Sequence, residues 1–122
     1  VAKGKSRPIW SDSDLLAQFN IYNRKYFGGK LEVARIRFAD IGDLLGRTQR
    51  FRTVAGRRSA SDRFGIQISR STQNARRIWR MTLFHEMTHV EQRCQWSCDR
   101  GGKRFNNRMR ELAAAGAFDG IW

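Results

Sequence analysis

The chain has 122 residues, 40% apolar and 11% aromatic, which excludes a compositionally disordered polymer and provides for one hydrophobic core in one domain. No stretch approaches the ~20 apolar residues of a membrane span, and the first residues carry no apolar signal-peptide core. The net charge of +13 is mostly arginine, and the two cysteines, Cys94 and Cys98, are too few for a disulfide framework. The expectation is an intracellular, nucleic-acid-associated protein with no membrane partner. Its start at Val1 reads as a processed chain or an excised domain.

Residues 1–10 form a basic arm that docks through Ile9 and Trp10, and residues 11–122 read as a single domain. Ser11 or Asp12 caps a helix with Leu15, Phe19, Tyr22 and Tyr26 at three- and four-residue steps, stopped by Gly28 and Gly29. A strand is predicted over 31–38 and another over 46–54, followed by a loop at 55–63. Phe64, Ile66 and Ile68 alternate with polar residues and mark a third strand. Residues 69–74 lead into a long helix ending near Cys94, 95–102 form a loop, and 103–115 a last helix burying Phe105, Met109 and Leu112. The order α-β-β-β-α-α, with a small three-stranded sheet, is an α+β domain.

Between residues 44 and 80 stand ten arginines and one acid, Asp62. Such a field attracts polyanions, of which nucleic acid is the commonest, and arginine forks onto phosphate oxygens. Arg47, Arg50, Arg52, Arg57, Arg58, Arg63, Arg76, Arg77 and Arg80 are the candidate contacts to DNA. A soluble basic surface or an acidic protein partner would carry the same charge.

The long helix holds Phe84-His85-Glu86-Met87-Thr88-His89-Val90. Histidines four residues apart share a helical face, so both imidazoles can reach one Zn2+, and Glu86 can take a proton from water beside the metal. The surrounding segment is apolar (Trp79, Leu83, Phe84, Met87), where histidine and glutamate are costly to bury without partners. His85 and His89 are therefore candidate zinc ligands and Glu86 the candidate catalytic base. Phe64, Ile66 and Ile68, just before this helix, are the candidate edge strand for a bound peptide.

Together these residues resemble the SprT-like (Spartan) family of zinc metallopeptidase domains. The resemblance runs through Phe19-x-x-Tyr22-Asn23-x-x-Tyr26-Phe27-Gly28-Gly29-x-Leu31, Ile36-x-Phe38 and Ile66-x-Ile68-Ser69. It continues through Trp79-x-x-Thr82-Leu83-x-His85-Glu86-Met87-x-His89-Val90, Gly102-x-x-Phe105 and Trp122. It implies a zincin-like minimal peptidase fold and zinc-dependent hydrolysis of protein substrates, several family members acting on proteins bound or crosslinked to DNA. The family's third zinc ligand, a histidine, aligns with Gly101, and the sequence has no further histidine. Asp99 is the leading replacement; Cys98 or Cys94, Glu111, and loss of the ligand in a degenerate nucleic-acid-binding module are the alternatives.

Overall fold

The computed structural model describes residues 9–53, 61–92 and 103–119, the side chains of 51–53, 61 and 62 excepted. Helix α1 (Asp12–Tyr26) begins with a capping box, in which Ser11 Oγ accepts from Asp14 N while Asp14 Oδ2 accepts from Ser11 N. Asp12, one residue further, accepts from Phe38 N at 2.8 Å and ties the start of the helix to the sheet. The helix ends where Gly29, at φ +72°, donates to Asn23 O, a left-handed position that a side chain would strain. The Asn23 side chain then bonds both N and O of Leu31 (3.0 and 2.9 Å). Those bonds hold Leu31 to the end of α1, ahead of the sheet, and strand β1 covers only Arg35–Ala39, shorter than the expected 31–38.

Strand β2 spans Gly46–Thr53 and β3 spans Ser61–Ser69. The sheet order is β1-β3-β2, with β1 parallel and β2 antiparallel to β3. β3 starts inside the expected 55–63 loop because Ser61, Asp62 and Arg63 pair with Thr53, Arg52 and Phe51. A 3-10 turn at Arg70–Thr72 leads to α2 (Arg76–Glu91), and α3 spans Lys103–Ala114. The fold is thus α+β, three helices with a small mixed three-stranded sheet, in the expected order.

Alternation in the strands sends Ile36, Phe38, Phe64, Ile66 and Ile68 into the core against α1 and α2. Phe84 is fully buried at its centre, with Tyr22 (4.4 Å between centroids), Phe118 (5.1 Å), Tyr26 (5.5 Å) and Phe27 (5.6 Å) around it. Trp10 meets Trp79 edge-on, while residues 1–8 of the expected arm lie outside the described residues. Among the described residues, no helix is long and apolar enough to cross a membrane.

One expectation is corrected here. Phe64, Ile66 and Ile68 do not lie on an edge: β3 is the central strand, its backbone paired on both sides and these side chains at most 2% exposed. Their clean alternation signalled burial, which an edge strand and a central strand share. The edge strand beside α2 is β2.

Candidate metal and catalytic site

Helix α2 fixes the two histidines by its periodicity, one turn apart on one face. Their Nε2 atoms converge to 3.2 Å. Two nitrogens bound to one tetrahedral zinc at its usual bond length stand roughly 3.3 Å apart, so the pair already has the spacing of a shared metal edge. Phe105 of α3 holds both rings, stacked on His89 at 4.6 Å and tilted against His85 at 4.8 Å. Partial burial lowers the His85 pKa below its ordinary value, which keeps the imidazole neutral and able to donate a lone pair.

Glu86 points from the neighbouring position of the helix toward the sheet and is 5% exposed. Burial raises its pKa to about 7, against the opposing pull of a hydrogen bond from Thr48 Oγ1 to Glu86 Oε1 (2.7 Å). The same hydroxyl lies 3.2 Å from the Glu86 carbonyl oxygen. Thr48 faces the helix because β2 alternates, and the approach is close because Gly46, two residues earlier, has no side chain. A Cβ at Gly46 would collide with the Thr82 methyl and stand 3.3 Å from Glu86 Oε2.

His85 and Glu86, with Asp43 and Thr82, form the polar wall of a cleft of ≈ 390 Å³, otherwise lined by Leu44, Leu45, Gly46, Met81, Met109 and Phe118. Leu44 and Leu45 are half exposed at its lip. A larger hollow of ≈ 550 Å³, with Lys30, Glu32, Arg63 and Glu91 in its wall, contains neither histidine nor Glu86 and so offers no comparable chemistry.

The structure therefore brings His85, Glu86 and His89 together. Asp99, Cys94, Cys98 and Gly101 lie outside the described residues, and among the described ones no group of three metal-ligating side chains occurs. Glu111 is turned elsewhere, its carboxylate held by Arg108 at 3.2 Å. Sequence reasoning did not find Thr48, since one threonine in a strand carries no mark of a partner 38 residues away.

The arginine block does not form one surface. Arg47 and Arg63 stand at register positions opposite the core-facing row of the sheet. Arg76 lies over the Trp10 ring, and Arg80 donates from Nε to Tyr22 Oη at 2.9 Å, both on the α2 flank. Arg57 and Arg58, with the side chain of Arg52, lie outside the described residues. Comparison of the chain with protein-family models, curated proteins and solved structures returned no match.

Proposed function

We propose that the chain is a zinc-dependent endopeptidase domain of zincin-like, SprT-like type, hydrolysing protein substrates associated with nucleic acid. The observation that carries this is the 3.2 Å convergence of His85 and His89 Nε2 beside the buried carboxylate of Glu86. The donor chemistry fits zinc: two imidazoles at tetrahedral spacing, with a third donor to come from Asp99, six residues before the Phe105 that packs on both rings. Zinc, when bound there, supplies a Lewis acid that acidifies water near neutral pH and polarises a carbonyl.

The remaining work belongs to the chain. Glu86, with a pKa near neutrality, takes a proton from the attacking water and returns it to the leaving amine. Thr48 holds one carboxylate oxygen and so aims the other. A peptide can add as a strand to the outer edge of β2, bringing its backbone past Glu86, because Gly46 and Thr48 of that strand already touch the glutamate. The apolar cleft beside His85 then receives a side chain next to the scissile bond.

The test is cleavage of an unfolded basic protein, with and without DNA, by the zinc-loaded chain and by Glu86→Gln. The variant should lose cleavage at least a hundredfold while still binding zinc. Retained turnover would sink the mechanism. The rival is a catalytically degenerate module that binds nucleic acid through its basic charge. Zinc held no more tightly by the native chain than by Asp99→Ala, with no cleavage, would favour it.

A further inference from the structure

One face of the sheet carries the helices, and no described helix packs on the other. Strand register fixes what lies there. Arg37 of β1, Gln67 of β3 and Arg47 of β2 form one row across the three strands, and Arg35, Gly65 and Gln49 form the next. Arg63 follows along β3. No acidic residue occupies any of these positions, and none of Arg35, Arg37, Arg47 and Arg63 has a carboxylate partner among the described residues.

The row is held in place. Gln67 is 6% exposed and accepts from Arg47 Nε, which fixes that guanidinium across the central strand. Arg37 Nε is buried with no hydrogen-bond partner among the described residues, so its stem is packed down on the sheet. Arg35 is exposed on the outer strand β1, and Arg63 is exposed on the central strand, beside the hollow that Glu32 and Glu91 also wall. Four guanidinium groups thus sit on a platform two strand spacings wide, about 10 Å from Arg37 to Arg47. Arginines anchored at their stems lose little further freedom when they fork onto phosphates.

We infer that this helix-free face is a docking surface for duplex DNA, gripped through its phosphates without regard to sequence. It rests on the nucleic-acid half of the proposed function and redraws its residues: Arg35 and Arg37 join Arg47 and Arg63, while Arg76 and Arg80 serve the packing of α2. Phe51 stands in register with Arg63 of this face, so a stacked single strand is the competing ligand. Duplex is favoured because the guanidinium rows span about 10 Å, close to the roughly 12 Å major-groove width between phosphate backbones. The surface lies on the side of the sheet away from Glu86, so a DNA-bound chain keeps its cleft open.

The experiment is fluorescence anisotropy of a 20-base-pair duplex of arbitrary sequence with the full chain, titrated over a range of salt. Three proteins are compared: native, Arg35→Gln/Arg37→Gln/Arg63→Gln, and a charge-matched control, Arg24→Gln/Arg70→Gln/Arg110→Gln, whose arginines are exposed elsewhere. The face variant should lose at least tenfold in affinity near 0.1 M salt, and its log–log salt slope should fall by about 2 to 3. The control should keep most of both. Because Arg37 is partly buried, Arg35→Gln/Arg63→Gln alone is included, with an expected slope change of about 2. Equal losses in face and control variants would overturn the assignment in favour of diffuse charge. Tighter binding of the single strand than of the duplex would overturn the choice of ligand, and no binding by the native chain would remove the nucleic-acid association itself. None of these outcomes bears on cleavage, which is read separately.

Discussion

Thr48 of the edge strand and Glu86 of the helix are joined twice, the threonine hydroxyl lying 2.7 Å from the carboxylate and 3.2 Å from the backbone carbonyl of the same residue. One side chain therefore sets both the height of α2 above the sheet and the direction of its buried acid. Thr48 is itself only 2% exposed, so the pairing is buried between strand and helix. The sheet and the candidate base are one mechanical unit.

The buried acid makes metal-free stability depend on pH in a predictable direction. Glu86 has a folded-state pKa of about 7 against 4.5 for the free side chain. A raised carboxylate pKa costs nothing below the unfolded value, and the penalty grows as pH rises from 4.5 through 7. Glu86→Gln imitates the protonated acid. In chelator-treated protein the variant should be more stable than the native chain by about 3 kcal/mol at pH 8, the difference closing near pH 4.5. His85, whose pKa is lowered, acts oppositely below its ordinary value, but it is common to both proteins and cancels. Urea unfolding at several pH values measures the difference, and a pH-independent gap would refute the assignment.

Gly46 tests the closeness of strand and helix. Gly46→Ala places a methyl group against the Thr82 methyl and near Glu86 Oε2, and should cost about 1–3 kcal/mol by overpacking. Thr82→Ser removes the obstructing methyl and keeps the hydroxyl that donates to Ile78 O at 2.8 Å. The double variant should recover at least half of the loss in thermal or urea unfolding. If the two changes are additive, the collision is not what makes glycine necessary.

How far the sequence reaches can be judged from these same residues. The histidine pair and Glu86 were legible because helical periodicity alone puts them on adjacent faces. The element order was legible from alternation and from the caps at Ser11 and Gly29. Strand pairing was not: Phe64, Ile66 and Ile68 alternate as an edge strand would, and only the register with both β1 and β2 makes β3 central. Contacts between distant positions, such as Thr48 with Glu86 or Arg47 with Gln67, leave no local trace. The arginines likewise read as one block in sequence, whereas alternation and helix geometry send Arg47 and Arg80 to different sides of the molecule.

Arg108 should prove a structural arginine rather than a binding one. It bonds Glu91 at 2.7 Å, Glu111 at 3.2 Å and the Tyr26 carbonyl at 2.9 Å, and lies over the Phe27 ring. It thereby fastens α3 to the ends of both α1 and α2, and α3 is the helix that carries Phe105 onto the histidines. Arg108→Ala should cost about 1–3 kcal/mol of stability, and Arg108→Lys should recover little because an ammonium cannot make the forked set. DNA affinity should change no more than for any single charge removed. A loss of DNA binding far beyond that, without destabilisation, would reverse the assignment.

Metal affinity decides between a working and a degenerate centre. His85→Ala and His89→Ala should each weaken zinc binding at least a hundredfold in competition with a chromogenic chelator, since two imidazoles supply the only paired donors of the described site. Glu86→Gln should bind zinc like the native chain, because its carboxylate is bonded to Thr48 and faces the sheet. Asp99→Ala should weaken binding about 10- to 100-fold and Cys94→Ser and Cys98→Ser should not, if the carboxylate is the third ligand. Zinc at a thousandfold excess over its dissociation constant should add about 4 kcal/mol to folding stability, a gain that Asp99→Ala loses in proportion. Should a cysteine variant fall instead of Asp99→Ala, the third ligand is a thiolate and affinity should drop steeply as pH falls, because protons then compete for the sulfur. If no variant but the two histidines matters, zinc is held by two residues alone, and the intact Glu86 is a relic beside a centre that does not cleave.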